Sequence, residues 1–554
     1  MKYLLAALVL ASLACTLPLP APAQSEITTF DSTGLLSWND PGGTGTHYAV
    51  QWSTSGLSNW MSWQDAEATL AGLGPTGTAA VPMFYRVVSK DPTYIPTETY
   101  TYYYRDLPLF DPLTPLSNDE MRVTFMGSMI PLPVRKAQAE MSIFVEVGWS
   151  NDVTDTYYHG RPLDQFIFDM GAGASANFAA AKIGYRLMDK VFINHLHGDH
   201  MSDLVHTYCF GPAGDRKSPL FVWGSAQTGL ESPAGSATYY DDGTSNFCAH
   251  LRETLRWHSE SFSFQTTASS NYIPPTRESW GLPHDPRPVG TDSNNDAYAI
   301  IPIELDWSLA GGQAYSNPLT RASVTHFPVI HTRLGSMGYK LQWQTPSGTN
   351  LTLIYTSDTK PETNCIQQAR NNVLGVDVFI HEMVAPPAVW AYKNMGLDAP
   401  PATNDSNYAE YQQTVQSLTT VQNSSHTSQG AFGYLLSQIT PPPRLAVATH
   451  FPVDDETVAS ALQSVQAHTN VVFGRDIVWS FDLMVLRIFP DRILQCRADV
   501  SDYCFNPPVR LPDGLMPPKY NDGAGHGDPY AQIDTNAAIP AVEGGVTNYR
   551  VDGY

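Results

Sequence analysis

The chain has 554 residues, of which 31 are Lys or Arg and 53 are Asp or Glu, so its formal net charge is −22. Hydrophobic residues make up 42% of the sequence, which is enough for a substantial core, and the length favours two or more domains. Proteins that grip nucleic acid present a basic surface that displaces counterions from the phosphates. The composition therefore argues against a nucleic-acid partner and predicts an acidic, soluble protein.

Residues 1–23 have the features of a secretory signal peptide. A positive residue precedes an apolar run, and Ala-Pro-Ala at 21–23 offers a cleavage site. The apolar run is too short for a comfortable membrane span. We predict export to the periplasm or the extracellular medium, with no membrane span. Lipid attachment at Cys15 is a competing interpretation, but Ser12 stands where a lipobox prefers Leu.

The next region, residues 24–100, is predicted to be a small all-β sandwich. Short runs that alternate aromatic and β-branched residues, such as His-Tyr-Ala-Val-Gln-Trp at 47–52, are separated by Gly, Pro, Asn and Asp turns. This region resembles the fibronectin-type accessory domains of secreted proteins. A linker follows at 101–118, and strands alternating with helices over 119–495 predict a layered α/β domain. The tail, 496–554, lacks an apolar period and is predicted to be extended.

Cysteine use is consistent with export, because an oxidising compartment permits disulfides. Cys496 and Cys504 are close enough in sequence to close a small loop, and Cys209 with Cys248 is a second candidate pair. Cys365 would then be a free, buried thiol. The spacings do not match a zinc ribbon, so no structural metal is predicted from cysteine.

The most informative stretch is Val-Phe-Ile-Asn-His-Leu-His-Gly-Asp-His at 191–200. Its first three residues are predicted to be a short buried strand, preceded by a helix over Asn177–Leu187. Four side chains that bind divalent metals then follow: His195, His197, Asp199 and His200. The two histidines alternate and therefore point the same way, whereas the last two residues lie beyond a glycine and can face a second ion. The spacing predicts a site for zinc or a similar metal.

The pattern His-x-His-x-Asp-His after a hydrophobic strand resembles the metallo-β-lactamase superfamily. The resemblance implies an αββα sandwich with a two-metal site at one edge of its sheets. In that family a third His, a bridging Asp and a last His follow, and the strand ends of this chain offer His331, Asp358 and His450 in that order. His326 competes with His331, which is favoured because it lies nearer to Gly338.

The resemblance implies a set of ligands for each of two ions. One ion would be held by His195, His197 and His331. The other would be held by Asp199, His200 and His450, with Asp358 between the two ions. Two Zn2+ ions are expected, and Mn2+ or Fe2+ would also suit these ligand types.

Asp358 and two later motifs narrow the resemblance to the branch of transfer-RNA 3′-processing nucleases, arylsulfatase-like enzymes and phosphodiesterases. That branch carries a His-Glu motif and a His-Ser-Thr motif, for which this chain has His381-Glu382 and His426-Thr427. The resemblance implies His426 as the general acid and Glu382 as the residue that holds its ring. Asp199 would orient the attacking hydroxide while binding metal. Residues 384–423 are predicted to be an inserted loop, and 224–298 to form further loops over the site.

These inferences predict an exported binuclear metallohydrolase that cleaves a phosphodiester or a similar small anionic ester with a metal-bridging hydroxide. Export and acidity argue against transfer-RNA maturation itself. A hydrolase of lactones, lactams or other carbonyl substrates is the first alternative. The second is a secreted binding or scaffold protein in which the same fold has no catalytic role.

Overall fold

A computed structural model describes residues 107–131, 138–148, 163–216, 218–255, 257–259, 297–397, 399–427, 430–453 and 455–500, with short strands nearer each terminus. The predicted signal peptide, Cys15 and most of the predicted C-terminal tail lie outside the described residues.

Short strands near the N-terminus pair into two antiparallel sheets. The first contains Gln24–Ser25, Phe84–Lys90, His47–Ser53 and Met61–Trp63, in that spatial order. The second contains Ile27–Phe30, Leu35–Trp38 and Thr76–Thr78. The small all-β, fibronectin-like domain over residues 24–100 stays a prediction. Near the C-terminus, Val542–Glu543 pairs with Val546–Thr547.

The main domain begins with the elements that carry the His-rich motif. In chain order they are β1 (Leu109–Phe110), β2 (Met121–Gly127), β3 (Ser142–Gly148), β4 (Leu163–Phe168), α1 (Ala174–Ala180), a 3-10 turn (Tyr185–Leu187), β5 (Lys190–Phe192), α2 (Gly198–Met201), α3 (Leu204–Phe210), β6 (Leu220–Ser225), α4 (Thr244–Thr254) and β7 (Ile300–Leu305). The helix predicted over Asn177–Leu187 is thus shorter, and it begins and ends earlier.

The second half of the domain repeats the alternation of strands and helices. In chain order it contains β8 (Gly312–Asn317), β9 (Ala322–Pro328), β10 (Met337–Gln344), β11 (Asn350–Tyr355), α5 (Thr363–Arg370), a 3-10 turn (Asn371–Val373), β12 (Val378–Glu382), α6 (Pro387–Asn394), α7 (Tyr408–Ser425), α8 (Ala431–Ser437), β13 (Leu445–Thr449), α9 (Asp455–Gln466), β14 (Ile477–Trp479), β15 (Met484–Ile488) and β16 (Ile493–Ala498).

Two large sheets organise these elements. One has nine strands in the order β7-β6-β5-β4-β3-β2-β15-β16-β1, and the other has seven in the order β8 to β14. β4 to β7 are parallel to one another, and so are β11 to β14. Because parallel strands end at the same edge of a sheet, the loops after them are brought together there.

Aromatic side chains fill the space between the two sheets. Phe192 of β5 stacks on Trp223 of β6 with ring centroids 4.5 Å apart, and it meets Tyr339 of β10 edge-on at 5.5 Å. All three rings are buried. Because each such ring removes on the order of 150–250 Å² from water, this layer holds the sheets face to face and fixes the loops at their edge.

Helices cover the outer face of each sheet. Phe178 of α1 and Leu204 of α3 pack against the nine-stranded sheet. Phe432 of α8 and Val458 of α9 pack against the seven-stranded sheet. The result is a mixed α/β domain with the helix–sheet–sheet–helix layering that the sequence predicted. In the part of the chain that the structure describes, no helix is both long and apolar enough to cross a membrane.

The prediction of a loop over residues 384–423 is wrong, because this segment contains helices, and the described part of the second predicted insertion also contains one, while residues 260–296 lie outside the described residues. Residues 384–423 form α6 and most of α7, which pack together through Ala391 of α6 and Tyr411 and Val415 of α7. α7 is rich in Gln, Ser and Thr, so its apolar stripe is narrow and its sequence shows little helical periodicity. The helix is therefore stabilised mainly by tertiary contacts. The segment 224–298 contains α4, which packs through Cys248.

The predicted disulfide between Cys209 and Cys248 is also wrong. Both residues are free thiols in the hydrophobic cluster under the nine-stranded sheet, and burial raises the pKa of each. Sequence spacing carries no information on the Cα separation that a disulfide requires. Cys365 is free and buried, as predicted. Cys496 is a free thiol too, and its predicted partner Cys504 lies outside the described residues.

Candidate metal centre

The predicted ligands lie in loops that leave strands of both sheets. The segment from His195 to His200 follows β5 in the nine-stranded sheet and runs into α2. His331, Asp358 and His450 follow β9, β11 and β13 of the seven-stranded sheet. The structure brings all of them to one place, although His197 and His331 are 134 residues apart in sequence.

Three histidines form the first cluster. The rings of His195, His197 and His331 have centroids between 4.5 and 5.0 Å apart. His331 Nε2 lies 3.2 Å from His197 Nδ1. One ring nitrogen of each residue can therefore point at a common position, which is the arrangement that three imidazole ligands of one divalent ion require.

Asp199, His200, Asp358 and His450 form the second cluster. The Asp199 Oδ2 atom lies 3.0 Å from His200 Nε2 and 3.2 Å from His450 Nε2. Two imidazoles and two carboxylates converge here, a mixed set of nitrogen and oxygen ligands that suits zinc, manganese or iron.

Asp358, a member of the second cluster, also faces the first. Its Oδ1 is 3.4 Å from His200 Nε2, and its Oδ2 is 3.4 Å from His450 Nε2 and 3.8 Å from His331 Nε2. A single carboxylate therefore faces histidines of both clusters. This is the position that a carboxylate shared between two ions would occupy.

The backbone is strained at three points of the site. Asp169, Ser357 and His450 all have φ between 56° and 60°, in the left-handed region that residues other than glycine rarely adopt. Each one directly or closely follows the end of a strand: β4, β11 and β13. Such strain costs on the order of 1–3 kcal/mol per residue and concentrates at functional sites. The left-handed conformation turns these side chains toward the common edge of the sheets. No pattern in the sequence predicts this conformation.

A carboxylate–imidazole pair stands beside the clusters. His426 Nδ1 is 2.8 Å from Glu382 Oε2, and the Thr359 backbone N–H donates to Glu382 Oε1. Glu382 is fully buried and the His426 side chain is 11% exposed. Because Nδ1 is engaged by the carboxylate, Nε2 is the ring nitrogen that can face a substrate.

His426 is positioned by α7, the helix that was not predicted from the sequence. It caps the C-terminus of α7, where its backbone N–H donates to Gln422 O. The preceding residue, Ser425, presents its carbonyl oxygen 2.9 Å from His331 Nδ1. One helix end thus orients both the candidate acid and a candidate ligand. Ser425 was not singled out in the sequence, because a backbone acceptor has no residue-type signal.

Asp169 is a second functional residue that sequence reasoning missed. Its Oδ2 lies 2.8 Å from His200 Nδ1 and accepts the Tyr355 hydroxyl at 2.8 Å, while Oδ1 accepts the Asn194 backbone N–H at 2.9 Å. A carboxylate on the outer nitrogen of a histidine fixes which nitrogen faces the metal. The available signal was its place just after β4, the strand next to β5 in the sheet.

His326 does not join either cluster. It lies within β9, and its Nε2 is 2.8 Å from the carbonyl oxygen of Asp306, against Gly312 of β8. His331 lies beyond the strand end, in the edge loop. The geometry thus brings His331, rather than His326, to the candidate site.

Charge is balanced inside the site by ion pairs between imidazoles and carboxylates. Burial lowers the pKa of His450, but the carboxylates of Asp358, Asp199 and Glu382 outweigh it and raise the pKa to about 10. Burial likewise disfavours charge on His200, and its acidic neighbours raise its pKa well above the ordinary value. Metal ligands must be deprotonated, so a bound cation would replace these protons.

His195 provides a test of whether the residues fit a metal. Its side chain is buried, burial and the neighbouring histidines hold its pKa well below the ordinary value, and neither ring nitrogen has a hydrogen-bond partner among the described residues. A buried polar atom without a partner costs about 1–3 kcal/mol. A neutral imidazole with unpaired nitrogens fits coordination to a divalent ion.

The chain is similar to known proteins in sequence and in structure. No protein-family model matches the chain. Over 111 residues, 20% of this chain and 30% of the relative, it is 27% identical to Ribonuclease Z of Methanosarcina acetivorans. The match thus spans less than a third of that curated relative.

Two solved structures can be compared over most of the domain. The metallo-beta-lactamase fold protein YhfI from Bacillus subtilis is 12% identical, with a TM-score of 0.37 over 67% of this chain and 100% of its own. Human tRNase Z, short form, is 14% identical, with a TM-score of 0.35 over 67% and 99%. The proteins that this chain is similar to thus include metallo-β-lactamase fold proteins and, over a short stretch of sequence, a Ribonuclease Z.

Proposed function

We propose that this chain is a metal-dependent hydrolase with a binuclear zinc centre that cleaves a phosphodiester or a similar small anionic ester. The observation that carries the proposal is Asp358, whose carboxylate faces His331 of one cluster and His200 and His450 of the other. Mn2+ or Fe2+ would suit the same ligands.

Each residue has a part in the proposed chemistry. When bound, two divalent ions would supply an acidified water and neutralise charge on the substrate oxygens. Asp199, at the junction of His200 and His450, would orient the nucleophile. His426 would donate a proton from Nε2 to the leaving oxygen. Glu382 keeps that imidazole oriented. Burial lowers the pKa of His426, but the charge of Glu382 outweighs burial and raises it, which favours the protonated ring.

A small substrate is favoured over RNA by charge. The relative from Methanosarcina acetivorans is a ribonuclease, which makes RNA the competing substrate. The net charge of −22 opposes a polyanion. Arg333, two residues after His331, is paired with Asp242 and lies over the Tyr240 ring at 4.5 Å. The positive charge of Arg333 is therefore largely neutralised by Asp242.

The proposal extends to the termini. Residues 1–23 would direct export and be removed, and residues 24–100 would be a fibronectin-like accessory domain that precedes the catalytic domain. N-terminal sequencing of protein recovered outside the cytoplasm should begin at Gln24. A mature protein that begins at Cys15 would instead support lipid attachment, and one recovered only from the cytoplasm would contradict export.

The activity is tested with zinc-loaded protein on bis(p-nitrophenyl) phosphate. Alongside it, p-nitrophenyl sulfate, a lactone, a β-lactam and a short RNA form the panel. We expect turnover of the diester or the sulfate that a chelator abolishes and added zinc restores. Preferred turnover of the lactone or the β-lactam would favour the carbonyl-hydrolase alternative, and preferred turnover of RNA the nuclease alternative.

A variant separates catalysis from scaffolding. Asp199→Ala should abolish turnover while circular dichroism shows the fold retained. Thr320→Val is the matched control, because Thr320 donates to buried Asp164 at 2.7 Å within the same domain, away from the clusters. If zinc-loaded wild type turns over no member of the panel, the scaffold alternative gains and the proposal fails.

A further inference from the structure

The backbone of His450 is held in an unfavourable conformation. β13 ends at Thr449, and His450 has φ +58°, which costs about 1–2 kcal/mol for an L-residue with a side chain. In that conformation its Nε2 lies 3.2 Å from Asp199 and 3.4 Å from Asp358. The chain on either side of His450 must therefore be fixed, or the imidazole would leave the second cluster.

A single buried side chain fixes the segment after His450. Gln138 Nε2 donates to the Phe451 carbonyl oxygen at 2.8 Å, and Gln138 Oε1 accepts the Val453 backbone N–H at 3.1 Å. The Phe451 backbone N–H donates to the Ser128 carbonyl oxygen at 3.0 Å. The residue that follows His450 is thus bonded at both its N–H and its carbonyl.

Gln138 is itself anchored. Its Nε2 also donates to Ser128 Oγ at 2.9 Å, and that hydroxyl donates to Asp482 Oδ1 at 2.8 Å. Asp482 Oδ2 accepts the backbone N–H of Ala139, next to Gln138, and the Asn177 amide at 2.8 Å. The carboxylate therefore holds both the hydroxyl and the backbone that place Gln138.

Glycine is required where these residues meet. A Cβ at Gly127 would lie 1.6 Å from the carbonyl oxygen of Glu140. Only glycine therefore lets the end of β2 come close enough to the 138–140 segment for Ser128 and Gln138 to bond. The contact is built by backbone approach and not by chance proximity of two surface side chains.

We propose that Gln138, held by Ser128 and Asp482, is a positioning residue for His450 and sets the affinity of the second metal position alone. The first cluster, His195 with its partners, receives no support from this network in the described part of the chain. The inference rests on the proposed binuclear centre but not on the reaction that it performs.

Zinc affinity is the direct test. Full-length protein is freed of metal and titrated with Zn2+ against a chromophoric chelator. Wild type should bind two ions. Gln138→Leu should keep the affinity of one ion within about twofold and weaken the other, the ion that His450→Ala also loses, by about 10- to 100-fold, the range for losing a partner behind a metal ligand. His450→Ala, which removes the ligand itself, identifies which ion is lost.

Two further variants keep the test decisive. Ser128→Ala removes only the hydroxyl between Gln138 and Asp482, and it replaces Gln138→Leu in the test if that variant does not fold. It should lower the affinity for the same ion, but by a smaller factor than Gln138→Leu. Thr320→Val is the control for loss of a buried hydroxyl away from the site. Equal weakening of both ions, or unchanged zinc affinity with a lowered Tm as in the control, overturns the proposal. So does a wild type that binds one ion. Two-zinc wild type without hydrolysis would instead contradict the proposed function.

Discussion

Replacement of Asp169 by Asn should weaken metal binding at His200. The Asp169 carboxylate is fully buried, with Oδ1 accepting the Asn194 N–H at 2.9 Å and Oδ2 accepting the Tyr355 hydroxyl at 2.8 Å and facing His200 Nδ1 at 2.8 Å. An amide has one acceptor oxygen and one donor nitrogen. In either orientation of the amide that Asp169→Asn introduces, its NH2 group faces a hydrogen-bond donor from which the Asp169 carboxylate accepts in the wild type.

The magnitude follows from that mismatch. A buried donor that loses its acceptor costs about 1–3 kcal/mol. Removing a carboxylate from the outer nitrogen of a metal-binding histidine typically costs 10- to 100-fold in metal affinity, or about 1.4–2.7 kcal/mol. We therefore expect Asp169→Asn to weaken the ion at the second cluster by that factor, and to lower the free energy of unfolding by roughly the same amount as the lost hydrogen bond.

The assay is a zinc titration with a competing chelator, paired with urea unfolding. Asp164→Asn is the matched control, because Asp164 lies at the other end of β4 and also accepts a buried tyrosine hydroxyl, that of Tyr315 at 2.7 Å. It should lose stability but bind both ions normally. Unchanged zinc affinity in Asp169→Asn, or an equal loss in Asp164→Asn, would refute the reasoning.

Three further predictions concern single residues. His331→Gln should cost the first-cluster zinc at least tenfold in affinity whereas His326→Gln should not, and equal losses would contradict the placement of His331. His426→Ala should lower kcat by about 10²–10⁴-fold for an alkyl leaving group but far less for p-nitrophenolate, which needs no acid; equal losses would exclude acid catalysis. Burial raises the pKa of Asp482 to about 6, from 3.8, so its ionised form destabilises the fold above pH 6 and the penalty disappears as the pH falls toward 4. The free energy of unfolding of chelated wild type relative to Asp482→Asn should rise by about 2 kcal/mol from pH 8 to pH 4, and a constant difference would contradict it.

The candidate ligands could be picked out from the sequence because their signal is local. His195 to His200 fall within one short loop after an apolar strand, and the later candidates each end a strand of their own. The choice between His326 and His331 needed the end of β9, because one residue lies inside the strand and the other beyond it.

The supporting residues could not be predicted, because their roles depend on contacts between distant segments. Asp169 is an ordinary strand-end aspartate until Tyr355 and His200 are folded against it. Gln138 has no chemical signature, and its role appears only when Phe451, 313 residues later, is bonded to it. Helix α7 was missed for a related reason, since its stability comes from packing on α6 rather than from its own pattern.

Each cluster contains residues from loops of both sheets, and this affects the stability of the protein. His197 and His331 are 134 residues apart and Asp199 and His450 are 251 apart, each pair joining one sheet to the other. An unfolded chain cannot assemble such a site, so a metal ion that binds there would bind the native state selectively. By mass action, free metal at a thousand times its Kd would add about 4 kcal/mol of stability per ion. The metal content of the surroundings would then govern how long the protein resists proteases, whatever substrate it meets.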